Sequence, residues 1–226
     1  NGDILIGTSA HGVMRLTNKN EAHQIGGLLG DVKSVNRMIE DNRQRLWLVT
    51  ESQGLLCYDG VVVKRYFQDE QDLSMVRDIC QDREGRIFIA TAHAGIFILE
   101  GETPRHIEAT GNKHVSTVYP NRRGHIMIGY DGLGLGIYNP DNGNYVDNPY
   151  YSREVDLSTA KVYSIYEDIN GNVWLGLLQK GIYMEPRGMM SFGYMGYKLG
   201  TRNTIGTACL TSVMGSTNGY HWIGTD

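Results

Sequence analysis

The sequence predicts an all-β fold, a β-propeller of four-stranded blades, and three observations carry that reading. A short apolar segment recurs six times along the 226 residues, at a step of about 43 residues. Glycine is abundant, with 29 residues, about 13% of the chain against a usual level of about 7%. No window shows a sustained i, i+3, i+4, i+7 apolar stripe, and glycines interrupt the chain too often for long helices.

The recurring segment is Ile4-Leu5-Ile6-Gly7-Thr8, then Leu46-Trp47-Leu48-Val49-Thr50, Ile87-Phe88-Ile89-Ala90-Thr91, Ile126-Met127-Ile128-Gly129-Tyr130, Val173-Trp174-Leu175-Gly176-Leu177 and His221-Trp222-Ile223-Gly224-Thr225. From Leu5 through Trp47, Phe88, Met127, Trp174 and Trp222, the central residue steps by 42, 41, 39, 47 and 48. Upstream of four copies lies another strand, in Val35 to Asp41, Val76 to Asp82, Val115 to Asn121 and Val162 to Asp168. Polar turns such as Asp82-Arg83-Glu84-Gly85 and Asp168-Ile169-Asn170-Gly171 join the two: Asp hydrogen-bonds turn backbone and Gly supplies positive φ. A third strand follows a glycine, as in Gly54-Leu55-Leu56-Cys57-Tyr58 and Gly95-Ile96-Phe97-Ile98-Leu99, and a weaker fourth is clearest at Val61 to Phe67.

Four strands per repeat give a sheet that cannot cover both of its own faces, so neighbouring sheets must stack. A strand buried on both faces reads as a continuous apolar run, as the recurring segment does. Trp47, Phe88, Met127, Trp174 and Trp222 are the expected bulky plugs between blades. Repeat cores fall near 3–16, 34–60, 74–101, 114–140, 161–185 and 211–226 of one domain spanning 1–226. That is about five blades, an expected incomplete section of a larger ring. Seven blades would take roughly 300 residues at this period.

Composition excludes several classes. Net charge is −4, so bulk charge does not favour direct nucleic-acid binding. Cys57, Cys80 and Cys209 are odd in number and lack CxxC spacing, which signals neither a disulfide framework nor a zinc site. No apolar run approaches membrane-spanning length, no signal peptide is recognised, and the opening Asn1-Gly2-Asp3 reads as the edge of an excised piece. The Asp-x-x-Gly turns offer two or three oxygens where calcium needs about six to eight. Gly132-Leu133-Gly134-Leu135-Gly136 has the wrong spacing and context for a dinucleotide loop. No metal and no cofactor is expected.

The combination of a strand, Asp-x-x-Gly, an aliphatic-Trp-aliphatic-Gly strand and Gly-Leu/Ile-x-x-Tyr is clearest from Val162 to Gly176. It resembles the two-component regulator propeller repeat, and the resemblance extends over essentially the whole chain. Asp41-Asn42-Arg43-Gln44 departs from it by lacking the turn glycine, and Asn121 and Met127 replace Asp and Trp in the fourth copy of the recurring segment. The resemblance implies the periplasmic sensor region of a hybrid two-component system, anchored to the inner membrane only through the parent chain. It implies oligosaccharide sensing that regulates polysaccharide utilisation through phosphorelay by a kinase elsewhere in that parent. This chain carries no kinase motif and is expected not to be an enzyme itself. Expected partners are an oligosaccharide, the remaining blades and domains of the parent, and a second sensor copy.

In propellers the loops from second to third strand gather on one face with the inter-blade loops. Here they supply His11, Glu51, Gln53, His93, Asp131, Gln179 and Lys180, planar or charged groups suited to sugar hydroxyls. The long loop before the fifth copy adds Tyr150, Tyr151 and Arg153, whose rings suit a sugar face. Solvated loops are the plain alternative for all ten. Two other functions compete: a non-catalytic interaction or dimerisation propeller, and a propeller lyase or hydrolase with His93 and Glu51 as the nearest acid/base candidates. No catalytic residue is assigned.

Overall fold

The computed structural model describes residues 4–17, 21–51, 53–67, 76–152, 155–187, 193–195, 209–215 and 221–225. The chain groups into two compact units, Asn1–Asn112 and Lys113–Asp226. The first holds three antiparallel sheets: β1 (Ile4–Gly7), β2 (Val13–Leu16) and β3 (Ala22–Gln24); β4 (Val35–Glu40), β5 (Leu46–Thr50), β6 (Leu55–Tyr58) and β7 (Val63–Tyr66); and β8 (Val76–Gln81), β9 (Ile87–Thr91), β10 (Ile96–Glu100) and β11 (Thr103–His106). The second holds β12 (Val115–Pro120), β13 (Ile126–Tyr130), β14 (Leu135–Tyr138) and β15 (Tyr145–Asp147); β16 (Val162–Glu167), β17 (Val173–Leu177), β18 (Gly181–Glu185) and β19 (Gly193–Met195); and the pair β20 (Leu210–Gly215) and β21 (His221–Thr225). Strands within each sheet follow chain order, the meander expected of propeller blades. The fold is all-β, of β-propeller class.

The repeating segment forms β1, which opens the first sheet, and the second strand of the other five, β5, β9, β13, β17 and β21. Every residue of β5, β9 and β13 is buried, which explains why alternation is missing there. Trp47, Val49, Leu55 and Cys57 pack against Val76, Ile79, Ile87 and Ile89 of the next sheet. In the second unit Met127 and Leu135 pack with Val162, Ile165, Val173 and Leu175.

A glycine in the second strand makes this approach feasible. A Cβ on Gly129 would lie 2.7 Å from Thr117 Cγ2 and 2.7 Å from the Val162 carbonyl oxygen of the neighbouring sheet. The sheets of the first unit are also tied by Arg37, whose guanidinium Nε donates to buried Asp78 at 2.9 Å.

The β4–β5, β8–β9, β12–β13 and β16–β17 turns are each organised by a leading Asp or Asn: Asp41, Asp82, Asn121 and Asp168. Asp41 accepts from the amides of Arg43 and Arg45, from Arg45 Nε at 2.7 Å and from the Trp47 indole at 2.8 Å. Asp168 repeats this with Asn170, Asn172 and the Trp174 indole. Asn121 takes only the two amides, and its copy has Met127 in place of Trp. These side-chain oxygens are engaged by N–H donors, as a structural turn requires. Burial opposes ionisation of Asp41 and Asp168, but the donors, led by the two indoles, outweigh it and lower both pKa values. The turn position held by Gly85, Gly124 and Gly171 at φ 80–85° is held by Gln44 at φ 61°, a left-handed conformation that L residues adopt at a cost of roughly 1–2 kcal/mol.

The plugs are not equivalent. Trp47, Phe88 and Met127 are fully buried, and Trp174 is partly exposed. Trp222, expected as a fifth plug, is instead 64% exposed. It pairs with Met214, itself 62% exposed, and no described sheet covers that face of β20–β21. The sequence also places Ser216 where the other two tryptophans have Asp41 and Asp168.

Candidate functional site

The loops from second to third strand are held by a threonine bracket. Thr50 and Thr91 end their strands and Thr8 directly follows β1, and each hydroxyl donates to the carbonyl of the glycine four residues on, at 2.8–3.0 Å. Each hydroxyl also accepts the amide of the residue three positions on, namely His11, Gln53 and Ala94. One buried or half-buried side chain thereby fixes a loop that presents His11, Glu51 or His93 to solvent. Gln53 is half-buried and its amide donates to the Asp31 carbonyl at 3.1 Å.

In the second unit the corresponding loops converge on one polar cluster. Asp131 bridges to Lys161 in backbone pairing, and Lys161 Nζ lies 2.8 Å from Asp131 Oδ1. His114 Nδ1 is 3.8 Å from the other carboxylate oxygen. Hydrogen bonding to Asp131, then its charge, raises the Lys161 pKa. The Leu178 amide donates to the Lys161 carbonyl at 2.9 Å, which brings Gln179 and Lys180 alongside. Gln179 is exposed at φ 59°, a conformation whose cost of about 1–3 kcal/mol is tolerated most often at functional positions.

A second feature of the same end was missed from sequence. In five sheets the first strand slips register by one residue near its start, between Val35/Arg37, Val76/Asp78, Val115/Thr117, Val162/Ser164 and Leu210/Ser212. The extra residues, Asn36, Arg77, Ser116, Tyr163 and Thr211, lie opposite no partner, as in a β-bulge. Four are exposed, and Ser116 Oγ has no hydrogen-bond partner among the described residues. The sequence signal was a polar residue directly after the first Val or Leu of each strand. Lys161 and His114, each directly before such a Val, were also missed.

Tyr150 and Tyr151 do not join Asp131, Gln179 and Lys180. Tyr151 is 73% exposed, and Tyr150 lines a cleft of about 470 Å³ at the opposite, turn-bearing end of β13. Five residues of β13, roughly 17 Å of strand, separate that end from Asp131. Asn121, Arg122, Arg123, His125, Glu167, Glu185 and Arg187 also line the cleft. Burial pushes the Tyr150 phenol up to about 12. It also raises Glu185, whose carboxylate accepts from the Tyr183 hydroxyl at 2.5 Å. Arg153 lies outside the described residues.

Among the described residues no group of three or more His, Cys, Asp or Glu could hold a metal ion, and no helix is long and apolar enough to cross a membrane.

Residues 156–178 match the family model of the two component regulator propeller. That stretch of 23 residues is similar to one copy of the repeat. The matched stretch runs from Asp156 through the Asp168 turn to the end of β17, so the family pattern is the turn, indole and second strand described above. No curated protein matches the chain. Among solved structures, the extracellular domain of a hybrid two component system from B. thetaiotaomicron is similar with a TM-score of 0.79 and 23% identity, over 99% of this chain and 31% of that one. A second such domain from the same organism gives 0.82 and 15%, over 99% and 30%. Virginiamycin B lyase from Staphylococcus aureus gives 0.74 and 12%, over 99% and 74%. At these identities the likeness is one of fold. The propeller repeats here span about 30% of the length of the two component system domains they match.

Proposed function

We propose that this chain is part of the extracytoplasmic sensor region of a hybrid two-component system, and that it recognises an oligosaccharide at the loop end of its sheets. The output kinase belongs to the parent protein, which regulates polysaccharide utilisation by phosphorelay. The observation that carries the reading is the cluster of Asp131, Lys161, Gln179 and Lys180 beside exposed Tyr163, set on a repeat that matches the regulator propeller family. A charge pair, an amide and an aromatic ring on fixed strand ends suit hydroxyl recognition with stacking on a sugar face.

Isothermal calorimetry of the chain against a panel of neutral plant and host oligosaccharides tests this. One panel member is expected to bind, with affinity lowered about tenfold or more by Asp131→Asn or Tyr163→Ala. Binding that ignores both substitutions refutes the loop-end site. A panel without any binder, together with concentration-dependent self-association, favours the interaction-platform reading instead.

A further inference from the structure

We infer that the cleft between the fourth and fifth sheets is a second binding site, for a small hydroxylated monocarboxylate gripped by Arg123 and Arg187. The inference stands apart from the loop-end reading, because the cleft lies at the other end of β13 and shares no residue with that cluster. Its volume of about 470 Å³ falls within the ~300–1,000 Å³ typical of small-molecule pockets.

The lining fixes the ligand class. Three arginines, Arg122, Arg123 and Arg187, face two glutamates, Glu167 and Glu185, which leaves the arginines in excess by one formal charge. Arg122 is already engaged, its guanidinium donating to the Ile169 carbonyl at 2.7 Å and its amide to Glu167 at 2.7 Å. The guanidiniums of Arg123 and Arg187 make no hydrogen bond or ion pair among the described residues, and the backbones that carry them are pinned. The Arg123 amide donates to Asn121 Oδ1 at 2.9 Å and the Arg187 amide to Asn172 Oδ1 at 3.0 Å. Two unengaged planar forks on fixed backbone match a carboxylate. A dianion would add repulsion from both glutamates, whereas a single negative charge balances the surplus. The glutamates are then acceptors for ligand hydroxyls, and the half-buried Tyr150 ring provides a wall for a ring face.

Galacturonate, galactose, benzoate and inorganic phosphate, each titrated into the chain and followed by calorimetry and by NMR, test the site. Galacturonate is expected to bind and to shift the Tyr150 ring signals, with galactose at least about tenfold weaker. Arg123→Gln and Arg187→Gln are each expected to weaken galacturonate by about ten- to a hundredfold, since each removes a charge-assisted hydrogen bond. Both side chains are exposed, and thermal melts should show both variants folded. Asp131→Asn, at the far end, is expected to leave galacturonate affinity unchanged. Benzoate binding without galacturonate would keep the carboxylate and refute the hydroxyl contacts. Absence of binding by either carboxylate, equal binding of galactose, phosphate binding as tightly as galacturonate, or indifference to both arginine substitutions would overturn the site.

Discussion

Replacing Asp41 by Ala tests the turn that recurs through this fold. Four donors lose their acceptor: the amides of Arg43 and Arg45, Arg45 Nε and the Trp47 indole. They are not equal. Trp47 is 0% exposed, so its indole N–H is left buried without a partner, at about 1–3 kcal/mol. The Arg45 side chain is 25% exposed and turns to water, losing about 0.5–1 kcal/mol. The turn amides rehydrate and add roughly 0.5 kcal/mol. The sum is about 2–4 kcal/mol. With a urea slope of roughly 2 kcal/mol per molar, the unfolding midpoint should fall by about 1–2 M with the slope unchanged. Trp47→Phe removes the orphaned donor, so the Asp41→Ala and Trp47→Phe changes should couple by about 1–3 kcal/mol in a double-mutant cycle. A loss below about 0.5 kcal/mol for Asp41→Ala, or no coupling with Trp47, would refute the view that the aspartate seats the indole.

Three further outcomes follow from the same geometry. Gly129→Ala should destabilise by about 1–3 kcal/mol in denaturant titration, because its methyl group meets the Val162 carbonyl of the next sheet. Gln44→Gly should raise the urea midpoint by the equivalent of about 0.5–1 kcal/mol, relieving a left-handed residue at some entropic cost. Asp41 and Asp168 have folded pKa values below their unfolded ones, so their stabilisation is complete above the unfolded value of about 4 and is lost as pH falls through the folded values. Stability measured at descending pH below about 4 should therefore drop, and Asp168→Asn should flatten part of that drop.

The strands were legible because burial on two faces leaves a continuous apolar run, and β5, β9 and β13 are buried throughout. The Asp turns were legible because one side chain serves donors only two to six residues away in sequence. Trp222 shows where such local logic stops: the motif specifies a second strand, but burial depends on what lies against it. The loop-end group was half legible. Asp131, Gln179 and Lys180 come together through pairing with Lys161, while Tyr150 belongs to the other end of the sheet. No spacing rule marks that, because the segment around Tyr150 has no strand period to orient it. The bulges were invisible for a related reason: a one-residue slip changes which face a side chain takes without changing the composition of the strand.

Those slips leave each first strand with one residue that the ladder does not constrain. The five occupants are an amide, a guanidinium, two hydroxyls and a phenol, while the Val or Leu before each keeps its place inside. Chemistry at these positions can therefore change one blade at a time without disturbing the packing that holds the sheets. A combinatorial library confined to Asn36, Arg77, Ser116, Tyr163 and Thr211 would sample new surfaces on an unaltered scaffold.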